Sequence, residues 1–211
     1  LMERLAAAGE ECYVVGGGLR DTLLGNAPND YDLTPSATPE RMCEIFSDYR
    51  TVESGLKHGT LTVISEHRAV EITTFRIDGS YTDSRHPDEV KFTRSIGEDL
   101  ARRDFTVNAM AWSGERGLVD LYGGREDLER KVIRAVGDPA KRFEEDALRI
   151  LRAFRFSAQL GFSIEKSTLL ATGAKREGLS NIAKERICTE FIKLICSPSP
   201  TEPLTEMCEL G

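Results

Sequence analysis

The chain has 211 residues, enough for one or two domains with a buried core at roughly 150 residues per domain. Apolar residues make up 40% and charged residues 30%, and no uncharged apolar run nears the roughly 18 residues of a membrane-spanning helix, so a helical membrane protein and an unfolded polar chain are both excluded. The 28 basic and 35 acidic residues give a net charge of −7, which argues against a DNA binder coated in positive charge while leaving room for a local basic groove.

Leu1-Met2-Glu3-Arg4-Leu5 has no basic lead into a long apolar stretch, so no signal peptide is expected. The non-methionine start and a close at Thr201 to Gly211 without a capped element lead us to expect a piece of a longer protein. Cys12, Cys43, Cys188, Cys196 and Cys208 are odd in number and contain no C-x-x-C pair, which fits a reducing cytoplasm better than a disulfide framework or a zinc site.

Short β-branched runs at Cys12 to Val15, Leu61 to Ser65, Val70 to Phe75 and Leu118 to Leu121 alternate with turns and helical patterns. They predict an α/β domain over 1–138. Beyond Gly137-Asp138-Pro139 the period is helical, most clearly over Phe143 to Gln159 and Ile182 to Cys196, which predicts an all-helical domain over 139–211. Ser197-Pro198-Ser199-Pro200 reads as a helix stop leading into another helix.

Five constellations carry chemistry. Val14-Val15-Gly16-Gly17-Gly18-Leu19-Arg20-Asp21 runs from a strand through three glycines into a helix. Glycines there let backbone amides approach an anion at a helix N-terminus, with Arg20 as an adjacent cation. Asp30-Tyr31-Asp32 follows, and on a strand both carboxylates would share one face as hard ligands for Mg²⁺. Glu71, in the alternating run Val70 to Thr73, is a candidate third carboxylate.

Arg103, Asp104 and Asn108 are expected in one helical turn, Arg103 gripping a triphosphate while Asp104 and Asn108 hold a ribose or fix Arg103. Along a predicted helix over 143–156, Asp146, Arg149, Arg152 and Arg155 form an i, i+3 ridge opposite the apolar side. Asp78 to Asp88 is polar and aperiodic and reads as a loop that carries His86.

Together these segments resemble the class II nucleotidyltransferases: bacterial tRNA nucleotidyltransferases that build or repair the 3′ CCA end, and related poly(A) polymerases. The resemblance rests on G-G-G-L-R-D with D-Y-D, K-H-G-T (Lys57 to Thr60) with V-E-I-T-T-F-R, R-R-D-F-T-V-N-A, E-D-A-L-R-I-L-R and K-E-R-I-C-T-E-F, in that order. One departure is Ala147, where the family usually has proline.

The resemblance implies an α/β (α+β) nucleotidyltransferase head on a small mixed sheet, followed by an all-helical neck, with most of the family's body and tail missing. It implies RNA 3′-hydroxyl attack on the α-phosphate of ATP or CTP, with pyrophosphate released. Asp30 and Asp32 would hold two Mg²⁺ ions, with Glu71 an outer or third carboxylate. Gly17, Gly18, Arg20 and Arg103 would bind the triphosphate, and Asp104 and Asn108 the ribose region. Asp146 and Arg149 would present a fixed edge to the base of C or A, while Arg152 and Arg155 would order that pair or reach phosphates. The expected partners are the tRNA 3′ end, ATP and CTP, with no membrane and no DNA. Alternatives are a poly(A) polymerase, an enzyme adding only CC or only A, and a non-catalytic RNA-binding relative.

Overall fold

The computed structural model describes residues 1–78 and 90–211; most of the expected 78–88 loop, including His86, lies outside them. The chain divides into two compact units. Among described residues the first comprises 1–78, 90–103 and Asn108–Leu121, and the second Asp104–Val107 and Tyr122–Gly211.

The first unit contains α1 (Met2–Ala7), β1 (Cys12–Val15), α2 (Gly16–Leu23), β2 (Asp32–Pro35), α3 (Pro39–Ile45), β3 (Arg50–Val52), β4 (Thr60–Ser65), β5 (Arg68–Thr73), β6 (Arg76–Asp78), β7 (Val90–Phe92), α4 (Ile96–Ala101), β8 (Met110–Ser113) and β9 (Gly117–Asp120). Seven strands form one sheet in the order β3-β4-β5-β2-β1-β8-β9. Only β2 and β5 pair in parallel; the other pairs are antiparallel, so the sheet is mixed as expected. Alternation sends Cys12, Leu33, Ile72, Leu61 and Val63 into a core completed by Leu5, Met42, Ile45 and Phe46. The helices have local start signals: Thr38 caps α3 ahead of Pro39, and Ser95 accepts from the Glu98 amide to cap α4.

The second unit contains α5 (Gly124–Arg130), β10 (Val132–Ile133), α6 (Pro139–Glu145), α7 (Leu148–Leu160), β11 (Ser163–Ile164), α8 (Lys166–Lys175), α9 (Lys184–Ile195) and α10 (Thr201–Leu210). It begins earlier in the chain than Pro139 because β10 pairs in parallel with β11, tying the segment before the Gly137 turn to the helices after it. The helix expected after Ser197-Pro198-Ser199-Pro200 is α10, over Thr201–Leu210. The continuous helix expected over 143–159 is two helices. Asp146 leaves helical geometry at φ −145° and ψ 103°, and its Oδ1 accepts from the Leu148 amide at 3.0 Å, a local bond that competes with helix continuation.

Glu165 caps α8, accepting from the Thr168 amide at 2.9 Å and from the Ser167 and Thr168 hydroxyls. Burial pushes its carboxyl up, but these donors outweigh burial and hold it at about 2, against an ordinary 4.5. A depressed acid stabilises the fold fully above the unfolded value and loses that contribution as the pH falls from about 4.5 towards 2. Glu165→Ala is expected to cost about 1 kcal/mol at neutral pH and to flatten this part of the acid limb, measured by urea unfolding across pH.

Candidate active site

The site in the first unit is built where β1 meets α2. Val15 ends β1 opposite Asp32, and Gly16, at φ +72°, turns the chain directly into the helix. Val15 supplies no side-chain cap, so the amides of the first turn of α2 keep their capacity for an anion. Leu33 pairs with Ile72 across the parallel strands, which puts Asp32 and Glu71 side by side on the other face of the sheet. Asp30 does not share a strand with Asp32 as expected: β2 starts at Asp32, and Asp30 lies in the segment leading into it.

Asp30 and Glu71 nevertheless both act on Asp32. Partial burial pushes the Asp32 carboxyl up, the charges of Asp30 and Glu71 push it further, and Arg103 opposes them without cancelling the rise. Among the described residues no group of three His, Cys, Asp or Glu could hold a metal ion, so the three carboxylates do not form a preassembled ligand set.

Arg103, Asp104 and Asn108 do not share a helical turn. α4 stops at Ala101, and Asn108 closes a separate 3₁₀ turn over Thr106–Asn108. Arg103 Nη2 donates to Asp99 Oδ2 at 3.0 Å and Nη1 to the Asn108 carbonyl at 3.4 Å. Arg20 is buried, with Nε donating to Asp21 and Nη1 to Asn108 Oδ1, both at 2.8 Å. Asn108 thus ties Arg20 and Arg103 into one network.

In the second unit Asp104 accepts from Arg152 Nε at 2.8 Å and Nη2 at 2.5 Å, and from the amide of Phe105 at 2.8 Å. It holds Arg152 through both of these nitrogens. Arg155 pairs with Glu190 and donates to Gln159 at 2.6 Å. Asp146 takes a direct bond from Arg186 on α9, whose Nη2 donates to its Oδ2 at 3.0 Å, while Arg152, expected to order it, acts on it through charge. Arg149 donates through Nη1 to Glu145 at 2.8 Å and to the Arg142 carbonyl at 3.2 Å. The helix break explains the change: with Asp146 outside α7, its carboxylate no longer heads the arginine ridge.

The pattern of the poly A polymerase head domain matches residues 12–134, and that of a probable RNA- and SrmB-binding site of polymerase A matches residues 161–211. The chain belongs to the poly A polymerase head-domain family. Among its relatives, the CCA-adding enzyme of Leuconostoc mesenteroides is 48% identical over 204 residues, covering 97% of this chain and 50% of that protein. That of Levilactobacillus brevis is 44% identical over 211 residues, covering 100% and 53%. The structure of the Bacillus stearothermophilus CCA-adding enzyme in complex with CTP superposes with a TM-score of 0.91 at 41% identity, covering 99% of this chain and 50% of that one. The Thermotoga maritima CCA-adding enzyme complexed with tRNA gives a TM-score of 0.82 at 27% identity, with coverages of 99% and 48%. This member of the family therefore spans about half the length of the curated relatives it matches.

The family's glycine run has an internal division of labour here. A Cβ on Gly16 would stand 3.3 Å from Asp32 Oδ2 and 3.6 Å from Arg103 Nη1, at a left-handed φ that disfavours other residues. A Cβ on Gly18 would lie 2.4 Å from the Asp30 carbonyl oxygen, so α2 can sit against Asp30 and Tyr31 only without a side chain. Gly17 has nothing closer than Arg20 Nη2 at 3.6 Å, an ordinary contact. Gly18→Ala is expected to cost about 1–3 kcal/mol through overpacking, with a shift of the Asp30 backbone. Gly17→Ala should leave thermal stability nearly unchanged, and parallel melting curves compare the two. Gly16 was missing from the sequence-predicted site, as were Asp99 and Arg186. The glycine run pointed to Gly16, but no sequence spacing linked Arg186 to Asp146, 40 positions away.

Proposed function

We propose that this chain is the nucleotide-binding and catalytic part of a tRNA nucleotidyltransferase that adds C and A to an RNA 3′ end without a nucleic-acid template, using CTP and ATP. The observation that carries the reading is the junction of Gly16 with Asp32 and Arg103: accessible carboxylates, an anion-receptive helix start and a fixed guanidinium on one side of the sheet. The similarity to CCA-adding enzymes supports this over a poly(A) polymerase. A cytoplasmic location belongs to the same proposal, in keeping with five free cysteines. Among the described residues no helix is long and apolar enough to cross a membrane.

The donor set fits a divalent cation such as Mg²⁺. Asp30 and Asp32 offer hard oxygens in a patch of mutual repulsion, and such an ion takes one or two carboxylates with its remaining ligands from substrate phosphates and water. When bound there, the ion supplies charge neutralisation for the phosphates and activation of the attacking hydroxyl. Glu71 biases the patch electrostatically from the neighbouring strand.

The amides of Gly17 and Gly18 would meet the triphosphate, with Arg103 neutralising it and Arg20 and Asn108 holding the network in register. The 3′-hydroxyl displaces pyrophosphate from the α-phosphate, and positioning accounts for most of the rate.

In the second unit, Asp146 has one oxygen engaged by Leu148 and the other by Arg186, and each oxygen retains a lone pair. A carboxylate so held accepts from the exocyclic amine of C or A, whereas U and G present a carbonyl at that place. Arg149, fixed by Glu145, supplies the complementary donor. Asp104, Arg152 and Arg155 act as the frame of this unit, through Asp104–Arg152 and Arg155–Glu190.

The experiment is incorporation of each labelled nucleotide into tRNA ending before CCA, after C or after CC. C followed by A is the expected result. A run of A would indicate the polymerase, and nucleotide binding without transfer would indicate a non-catalytic relative or a chain too short to hold the RNA. Asp146→Ala and Arg149→Ala are expected to narrow the preference for C and A over U and G by about ten- to a hundredfold, because a mismatched buried acceptor costs roughly 1–3 kcal/mol. Unchanged selectivity would exclude them as the base-reading edge.

A further inference from the structure

We infer that Asp99 is a positioning residue for nucleotide binding: it sets the guanidinium of Arg103 beside Gly16 and Asp32 before any nucleotide arrives. The inference rests on the proposed role of Arg103 with the triphosphate and extends it to a residue that would not touch the substrate.

Asp99 lies on α4, four residues before Arg103, and is 0% exposed. Its two oxygens do different jobs. Oδ1 accepts from Arg102 Nε at 3.0 Å, from Arg102 Nη2 at 2.7 Å and from the Arg76 amide at 3.3 Å. Oδ2 accepts from Arg103 Nη2 at 3.0 Å. Burial alone would push the Asp99 carboxyl up, yet the two arginines hold it below the usual carboxylate range, so it is a fixed negative charge at neutral pH.

The consequence for Arg103 is geometric. Its Nε is buried with no hydrogen-bond partner, and Nη1 makes only a 3.4 Å contact with the Asn108 carbonyl. Asp99 therefore provides its short charged contact. Nη1 and Nη2 each carry a second N–H that these bonds leave for an anion, and holding the guanidinium in advance avoids the ordering cost of binding. Arg102 takes the remaining oxygen of Asp99 through two nitrogens, so the carboxylate is held between two cations and cannot swing towards the nucleotide with Arg103.

The test is CTP affinity by equilibrium titration, with KM and kcat for CTP and ATP, on Asp99→Asn, Arg103→Met and the double variant, all checked for folding by circular dichroism. Asp99→Asn should weaken CTP binding at least tenfold and raise KM for CTP and ATP alike, without altering the choice between them. In the Arg103→Met background the same change should add less than twofold. Equal losses in both backgrounds, or no loss from Asp99→Asn, would overturn the inference. Unchanged binding by Arg103→Met would overturn the triphosphate role of Arg103 itself, and this inference with it. Should Asp99→Asn fail to fold, Asp99→Asn/Arg102→Met removes the opposing charges together and carries the same expectation.

Discussion

Asp32→Asn is expected to reduce nucleotide incorporation by roughly a thousandfold or more while leaving the fold more stable than the original. The two effects have opposite signs because of where the carboxylate sits. β2 is paired on both sides, by β1 and β5, so its start is set by the backbone, not by the side chain. Burial, Asp30 and Glu71 all disfavour the ionised form of Asp32, and Arg103 offsets only part of this. A carboxyl raised above its unfolded value opposes folding once the pH exceeds that value, so removing the charge relieves the fold at neutral pH. The proposed reaction loses a ligand that no neighbour replaces, and electrostatic stabilisation of phosphoryl transfer is among the largest catalytic terms. Single-turnover incorporation and a thermal melt on the same preparation check both parts. Adding Mg²⁺ should raise the melting temperature of the original chain and have less effect on the variant. A fall in activity accompanied by an equal fall in melting temperature would assign Asp32 to structure instead.

Glu190→Ala is expected to carry the largest stability cost in the second unit, about 3–5 kcal/mol. Glu190 is 7% exposed and pairs with Arg155, itself 7% exposed, with Arg152 Nη1 at 3.8 Å from its other oxygen. Removing the carboxylate strands a buried guanidinium, and an uncompensated buried charge costs far more than the pair contributes by being present. The guanidinium of Arg155 also lies 3.8 Å from the ring centroid of Phe156, leaving it little freedom to turn to water. The double variant Glu190→Leu/Arg155→Met should recover most of the loss, since it removes both charges and keeps the volume. Urea unfolding of the single and double variants measures the difference.

Much of the first unit was legible because its signals are local. The strands at Cys12, Leu61, Val70 and Leu118 were marked by β-branched runs, and the glycine-to-helix junction by composition. The parallel pairing of β2 with β5 was not, although it is what sets Asp32 beside Glu71, because register between strands 39 residues apart has no signature in either strand. The arginine ridge was misread for a related reason. Helical periodicity ran through Asp146 without registering that its side chain could bond the Leu148 amide and stop the helix. Once that turn breaks, Asp146 passes to Arg186, Arg152 to Asp104 and Arg155 to Glu190. These are pairings across 35 to 48 positions that spacing rules cannot reach. The spacing rules reach the charges along one helix and not the partners that these charges take from distant segments.

The bond from Leu148 to Asp146 has a consequence for how nucleotide preference can evolve or be engineered. Under the proposed base-reading role of Asp146, any replacement at position 146 is screened twice, once for how it meets a base and once for whether α7 still begins in the right place. Asn satisfies the second demand while altering the first, and Ser or Thr does so with a shorter reach. A library built at this position should therefore yield its well-folded members from that small polar set, and routes to new base preference through larger or apolar side chains should require a compensating change elsewhere.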